Sequence, residues 1–370
     1  MAKRVIIAGA TGFLGRSLCR ALQGDYELIA LSRDAVRATG ALGPCVRVME
    51  WDARTAGVWA REIQGAQAII NLAGENLAAG RWTPARKSSI LQSRTSSAGA
   101  IVDAVGGARF RPAVVIQASG VGYYGSRGDE LLDEDATMGG GFLADVCRRM
   151  ESVAAQVERS GVRCVVLRSG LVLDRAGGVL PRFVMPYRFF IGGSVGNGRQ
   201  WLSWISLEDE VRAIRFLIEN PTLTGAFNLT APNPVTMRQF SHTLGQVLRR
   251  PAWTVVPAFV LRLALGSMAE ETLLASQKTV PRRLREAGFT FRHPELSTAL
   301  VQVSPFLRGS LRKKKSRPPC RKLGQQGCIR KIPRSQLQGG RTWNVPHRSR
   351  RCYGNCAAFL RNRASRFSYP

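Results

Sequence analysis

Lys3–Leu22 reads KRVIIAGATGFLGRSLCRAL, and its two ends follow different periodicities. Arg4 to Ala8 is a short apolar run, the pattern of a strand buried on both faces, whereas from Phe13 to Leu22 the apolar residues recur at helical spacing. Between them stands GATGFLG, with glycines at 9, 12 and 15. Gly9 lets the chain turn tightly off the strand, Gly12 lets the backbone approach an anion at the helix N-terminus, and Gly15 lets helix and strand pack closely. A strand before and a helix after raise the pattern above a chance cluster of glycines, and the anion such a turn suits is a dinucleotide pyrophosphate. The candidate binding loop is therefore Gly9, Thr11, Gly12, Phe13, Leu14 and Gly15. A glycine-rich turn without a ligand is the plainer alternative.

Outward from this unit the alternation continues. YELIAL, VRVMEW, AQAIINL and AVVIQAS read as strands, a long helix is expected from Pro84 to Val105 and another from Phe142 to Ser160, and RCVVLRSGLVL reads as the sixth strand. Strands separated by helices imply crossover units, hence an α/β fold with a Rossmann-type doubly wound parallel sheet. Past that strand Gly, Pro and aromatic residues thicken, as expected of a smaller mixed substrate lobe over the carboxyl edge of the sheet. The expected division is a nucleotide-binding domain over 1–175 with contributions from about 203–230, the substrate lobe with a C-terminal domain over 176–303, and a low-order tail over 304–370. The second strand ends LIALSRD, where Ser32 and Arg33 can meet a 2′-phosphate on the adenosine ribose while Asp34 comes one position late for the ribose hydroxyls. NADP(H) is expected over NAD(H); the alternative leaves Arg33 an ordinary solvated charge.

Charge divides the chain in two. Its 370 residues carry 54 Lys and Arg against 25 Asp and Glu, a net +29, but 18 of the basic residues and no acid fall in 304–370, which leaves +11 for the rest. The whole-chain value would point to nucleic acid or another polyanion, with the RKKK run at Arg312–Lys315 as its nucleus. The few aromatics there are not spaced as a stacking platform, and the abrupt change of composition at Val303 also suits translation in a shifted frame. No apolar run is long enough to cross a bilayer, and a cytoplasmic, reducing location is expected. Cys19, Cys45, Cys147 and Cys164 are scattered as small buried residues would be; Cys320, Cys328, Cys352 and Cys356 near His347 lack paired knuckles, so no metal site is expected.

Several segments together resemble the extended short-chain dehydrogenase/reductases, and within them the NAD(P)-dependent nucleotide-sugar epimerase subgroup also labelled cell-division-inhibitor-like. They are NLAGEN at Asn71–Asn76, RWTPARK at Arg81–Lys87, Ser93 with Arg94, ASGVGYYG at Ala118–Gly125, RSGLVL at Arg168–Leu173, SWISLEDEVRAI at Ser203–Ile214, and the region Pro251–Leu300, which is similar to the subgroup's small C-terminal domain. The resemblance covers about residues 3–301. It implies that Leu72, Ala73 and Gly74 line the cofactor, Arg94 reaches toward it, Val172 closes over the nicotinamide end and Asp52 contacts adenine. Leu72 and Val172 read equally well as core, and Arg94 as a partner within its own helix.

Hydride transfer in this superfamily relies on a Tyr with a Lys four residues later, the cation lowering the phenol pKa. Tyr26, Tyr123, Tyr124, Tyr187 and Tyr353 are followed at that spacing by Ala30, Arg127, Gly128, Ile191 and Ala357, so the pair is missing. If Glu151 matches the acid that follows the motif in relatives, Leu143 and Cys147 stand in its place. The remaining catalytic candidates are Ser119, as a hydrogen-bonder to substrate, and Tyr123, as an acid if Arg127 folds back on it. Glu75, Asn76, Gln200, Trp201 and Trp204 are further polar candidates, with Trp204 read as packing, and Arg81 and Lys87 could grip a phosphorylated, nucleotide-linked or carboxylated substrate. With three histidines in the chain, a Ser-His-Asp hydrolase is poorly supported. Besides polyanion or nucleic-acid binding through the tail, two functions remain: an NADP(H)-dependent epimerase or oxidoreductase on a small molecule, and a non-catalytic NADP(H)-binding sensor or scaffold connected with division.

Overall fold

A computed structural model describes residues 3–303. The basic tail expected over 304–370, with its cysteines and its RKKK run, lies outside the described residues.

The first half builds crossover units in order: β1 (Arg4–Ala8), α1 (Phe13–Leu22), β2 (Glu27–Ser32), α2 (Ala35–Leu42), β3 (Val46–Glu50), β4 (Ala68–Asn71), α3 (Pro84–Gly106) and β5 (Val114–Gly120). Then come the short β6 (Leu131–Leu132), α4 (Phe142–Ala154) and β7 (Arg163–Ser169). β1 pairs in parallel with both β2 and β4, and the seven-stranded sheet is completed by β13 (Gly225–Leu229), which adds to β7 in parallel. Across the sheet the order is β13, β7, β5, β4, β1, β2, β3, so the winding reverses between β1 and β4 and opens a crevice at their carboxyl ends.

Alternate residues of each strand feed two cores. Val5 and Ile7 face the layer that includes α1, whereas Ile6 and Ile69 face Trp59, Ile101 and Val105 on the other side. Complete burial of both sets explains the near-continuous apolar runs, each such Ile or Leu contributing about 1.5–3 kcal/mol. Helix starts are set locally. Asp34 accepts from Arg37 N to cap α2, and Thr83 accepts from Arg86 N to cap α3 with Pro84 in its first turn.

RCVVLRSGLVL is not one strand. β7 stops at Ser169 and β8 (Leu171–Asp174) leaves the sheet to pair with β9 (Gly177–Gly178) and, through the lobe, with β12 (Trp204–Ser206). Gly170 makes the break possible, because a Cβ there would lie 2.5 Å from the carbonyl oxygen of Ser203. The helix expected to reach Ser160 is α only to Ala154 and tightens into a 3-10 segment beyond it. Cys19, Cys147 and Cys164 are buried as expected, but Cys45 is exposed at the start of β3.

The smaller C-terminal region contains α5 (Leu180–Arg188), β10 (Gly192–Val195), β11 (Trp201–Leu202), α6 (Leu207–Glu219), β14 (Val235–Thr236), α7 (Met237–Leu248), β15 (Ala252–Val256), α8 (Ala258–Leu265), α9 (Ser267–Thr272), β16 (Lys278–Thr279), α10 (Arg282–Glu286) and α11 (Leu296–Val303). α6 returns to cover the main sheet and packs on α1, while Trp204, Phe240 and Leu244 form a separate core. Pairing of β16 with β6 ties the region to the segment that follows β5. Among the described residues no helix is long and apolar enough to cross a membrane.

Candidate functional site

Gly9 has φ +77°, and a Cβ there would lie 2.7 Å from the carbonyl oxygen of Leu72. A Cβ on Gly15 would lie 2.4 Å from the oxygen of Gly9, so the turn off β1 and the approach of α1 both require glycine. Gly12 is exposed and caps α1 without a side-chain hydrogen bond, which leaves the first backbone donors of the helix facing outward, as an anion requires. Thr11, Phe13 and Leu14 surround this turn half-buried, and the Phe13 ring covers Gly177 and Gly178. At the end of β2, Ser32 donates to Asp34 O at 3.0 Å, and exposed Arg33 makes no ion pair among the described residues. Asp52 lies just beyond β3, where its carboxylate accepts from the N–H groups of Arg54 (2.8 Å) and Thr55 (2.9 Å), bonds that hold it below the usual carboxylate range.

Beyond β4, Asn71 anchors the next wall: its buried amide donates to Gln117 Oε1 at 2.9 Å and to Ser97 Oγ at 3.2 Å, and its Oδ1 accepts from Ala73 N at 3.1 Å. This fixes Leu72, Ala73 and Gly74. Arg94 lies against Gly74, its Cζ 3.0 Å from where a Cβ would be, and donates to the carbonyls of Ile90 (3.1 Å) and Glu75 (3.0 Å). It therefore bonds within its own helix and also reaches the wall formed by Leu72, Ala73 and Gly74. Val172 sits in β8, half-buried against the core.

Ser119 ends β5 and donates to Glu151 Oε1 at 2.5 Å. Glu151 is held by Arg168, 2.9 Å from Nη2 to Oε2, and both side chains are almost wholly buried. Arg168 also donates to the Tyr124 hydroxyl at 3.1 Å, and Tyr124 donates to Asn228 Oδ1 at 2.8 Å. Burial pushes the Tyr124 phenol up to about 12, so it is a neutral structural link. Tyr123 faces this network, its ring 3.5 Å from the Arg168 guanidinium carbon. Arg127 does not fold back on it but pairs with Glu130 at 2.7 Å.

Between these walls lies a cavity of about 330 Å³. Leu72, Ala73, Gly74 and Arg94 line one side, Ser119 to Gly122 the next, and Leu143 and Cys147 stand opposite from α4. Tyr123, Val172, Arg81 and Lys87 are not in its lining. Lys87 instead lies over the Phe142 ring at 5.1 Å, and Trp204 packs in the lobe with its indole donating to Asn233 O at 3.0 Å. Trp201 lines the cavity, Gln200 donates to the carbonyls of Val195 and Leu273, and Glu75 pairs with Arg86 while Asn76 caps the turn at Ala78. Cys147 is buried, and desolvation raises its thiol pKa, so it offers no thiolate.

The profile of the NAD-dependent epimerase/dehydratase family matches residues 5–229. The chain belongs to that family. A second profile, a domain of unknown function designated DUF1731, matches residues 256–303 of this epimerase-family chain. Epimerase family protein ML0860 of Mycobacterium leprae is 38% identical over 296 residues, 80% of this chain and 94% of that protein. The chloroplastic epimerase family protein SDR39U1 homolog of Arabidopsis thaliana is 36% identical over 301 residues, 81% of this chain and 86% of that protein. Among solved structures, human epimerase family protein SDR39U1 with NADPH superposes with a TM-score of 0.72 at 29% identity, covering 81% of this chain and 98% of that one. The UDP-glucuronic acid 4-epimerase of Bacillus cereus, in complex with UDP-glucuronic acid and NAD, gives 0.66 at 14% identity, covering 83% and 99%, a likeness of fold alone.

Sequence reasoning missed several residues of this epimerase-family site. Arg168 opens RSGLVL, but nothing local marks it as the partner of Glu151. Glu271, from α9, reaches the cavity and accepts from Leu143 N at 2.7 Å, a contact spanning 128 positions that no periodicity reports. Glu210, on the sheet-facing side of α6, is fully buried, and Ser169 of the cavity wall donates to its Oε1 at 2.5 Å. Burial pushes its carboxyl from 4.5 up to about 8, so folding takes up a proton between those values. That contribution is fully present below about 4.5 and is lost as pH rises through about 8, with a slope of up to about 1.4 kcal/mol per pH unit. Glu210→Gln is expected to flatten the fall in stability between pH 5.5 and 8 in urea titrations; parallel curves for the two proteins would contradict this.

Proposed function

We propose that the chain binds NADP(H) and exchanges hydride with a small molecule held in the cavity. The observation that carries this reading is the position of the cavity. It lies at the carboxyl ends of β4, β5 and β7, between Leu72–Gly74 and Ser119, next to the reversal between β1 and β4, where the glycine turn leaves β1 and packs against Leu72. In this reading residues 1–175, with the strand and helix from about 203–230, hold the dinucleotide, and 176–303 closes the substrate side. Gly9, Thr11, Gly12, Phe13, Leu14 and Gly15 receive the pyrophosphate; Ser32 and Arg33 the 2′-phosphate; Asp52 the adenine; Leu72, Ala73, Gly74, Arg94 and Val172 the nicotinamide half.

When bound, the dinucleotide supplies a hydride donor or acceptor. The chain supplies orientation and a route for the proton. Because Ser119 gives its own proton to Glu151, it presents lone pairs to the cavity and accepts from a substrate hydroxyl. Arg168, 2.9 Å from Glu151 Oε2, fixes the carboxyl group to which the Ser119 proton can pass. Tyr123, outside the cavity lining, is the weaker candidate for this work.

NADPH in the human relative supports the phosphate preference, and so does an exposed Arg33 beside Ser32. Arg33→Ala is expected to weaken NADPH binding by about 1.5–3 kcal/mol, roughly 10- to 100-fold, and leave NADH unchanged in fluorescence titrations. Equal affinities for the two cofactors before and after substitution would remove the assignment.

A non-catalytic sensor or scaffold is favoured by one observation, the apolar Leu143 and the un-ionised Cys147 on the α4 wall where the Tyr and Lys would stand. Consumption of bound NADPH by any carbonyl metabolite in an absorbance screen would eliminate that reading. Stoichiometric binding without turnover across a broad panel would eliminate the first.

A further inference from the structure

Away from the cavity, the smaller C-terminal region exposes a run of large apolar side chains. Met185 lies in α5, Phe189 stands four residues on, Phe190 and Ile191 follow, and all four are exposed. Trp253 of β15, 74% exposed, joins them by donating its indole N–H to Phe190 O at 2.8 Å, and Thr254 Oγ1 donates to Ile191 O at 2.8 Å. The chain continues through exposed Val255 into α8, where Phe259 and Leu263 share a helix face at 66% and 77% exposed. α8 reads AFVLRLAL and has no fully buried residue. Short helices draw most of their stability from packing, and grouped exposed apolar side chains mark interaction sites.

Charge says what covers this face. Over 175–207 and 220–269 the chain carries eight arginines and no Asp or Glu. Among the described residues only Arg262 of the eight forms an ion pair, with Glu270. All 25 acids of the chain lie within 3–303, so 304–370 has none to offer the others. The Arg250 guanidinium lies 4.3 Å over the Phe190 ring, Arg188 adjoins Phe189 in the chain, and Arg188 and Arg249 are exposed. A two-fold contact with a second copy would set arginine against arginine, and the basic 304–370 would be repelled in the same way. A nucleic acid would engage the arginines but leave Phe259 and Leu263 in water. An anionic bilayer surface satisfies both sets. Its headgroups take the arginines, and the headgroup–acyl boundary takes Trp, Phe and Leu.

We propose that the face formed by the end of α5, β15 and α8 docks the protein on an anionic phospholipid surface, lying on the bilayer rather than crossing it. α8 is followed after Gly266 by α9, whose Glu271 lines the cavity, so the docked segment adjoins the substrate wall. The docking needs no bound dinucleotide and stands apart from the hydride-transfer reading.

The test uses the full chain, sedimented with vesicles of phosphatidylcholine alone or with about 30 mol% phosphatidylserine, at about 0.15 M salt. Because 304–370 is also drawn to anionic vesicles by charge, the substitutions are placed on the folded face. Binding is expected to be at least about tenfold tighter to the anionic vesicles. Phe259→Ser with Leu263→Ser, both at exposed positions, is expected to weaken that binding by about tenfold or more with an unchanged thermal midpoint. Arg188→Gln with Arg249→Gln is expected to reduce the preference for phosphatidylserine by about tenfold. Vesicles with brominated acyl chains are expected to quench tryptophan emission in the wild type, and Trp253→Phe to lose the quenched component. No vesicle binding, or equal binding to both vesicle types, would overturn the proposal. Wild-type affinity in the Phe259 and Leu263 variant, without quenching of Trp253, would overturn it by assigning the binding to 304–370. A dimer dispersed by those two substitutions, or duplex DNA binding weakened by them, would overturn it in favour of a second copy or of nucleic acid.

Discussion

Arg168→Met is expected to lower unfolding free energy by about 3–5 kcal/mol, the loss typical of a buried ion pair deprived of one member. Arg168 is 6% exposed, and methionine would leave Glu151 with only Ser119 as a partner, remove a donor from the Tyr124 hydroxyl and uncover the ring of Tyr123. Most of the cost is the stranded carboxylate rather than the intrinsic worth of the pair. Glu151→Gln should therefore also destabilise, and the double variant should lose less than the sum of the two single losses. Urea denaturation of the three proteins checks this; a loss under about 1 kcal/mol for Arg168→Met would mean that the carboxylate is solvated and Ser119 is not anchored as described.

The second large effect is on cofactor binding. Gly9→Val places a side chain where φ is +77° and where even a Cβ lies 2.7 Å from Leu72 O and 3.0 Å from Ala73 N, all backbone atoms that cannot rotate aside. The turn off β1 must open, moving the α1 N-terminus and the β4 wall together. NADPH affinity is expected to fall by about 100-fold or more, given local strain of about 1–3 kcal/mol together with the displaced donors. Gly40→Ala is the control. Gly40 lies in α2 with nothing within 4 Å of its Cβ position, so the change should leave binding intact and add about 0.5–1 kcal/mol of stability. Near-native NADPH affinity in Gly9→Val would separate the glycine turn from the cofactor.

The cofactor half was legible because its signals are local. The β1 run, the glycine spacing and the helix ends at Phe13 and Leu22 all lie within some twenty residues, and the structure reproduces them. The split at Gly170 was not legible. RCVVLRSGLVL has one continuous apolar pattern, and the choice between staying in the sheet and leaving it is made by Ser203, which packs its carbonyl against Gly170 from another segment. Cys45 was misread for a similar reason: a small residue before a strand has no pattern to show whether a neighbour covers it. The lack of a Lys four residues after any Tyr is plain in the sequence, but that Tyr123 turns to Arg168 and Arg127 to Glu130 is decided by residues distant in the chain or by the path of the loop.

Periodicity and glycine spacing report which face of an element is buried and where the backbone must bend, because both depend on neighbours in the chain. They were enough for the doubly wound sheet and the glycine turn, while the resemblance to the epimerase family rested on longer segments such as NLAGEN and ASGVGYYG. Which charges meet depends on packing across the fold. Glu151 meets Arg168 and Ser119, Glu210 meets Ser169, and Glu271 caps α4 from a different domain profile, through contacts separated by 17 to 128 positions. Coulomb and desolvation energies act through space and carry no sequence period. Which polar groups wall the cavity was therefore decided only when those side chains were brought together.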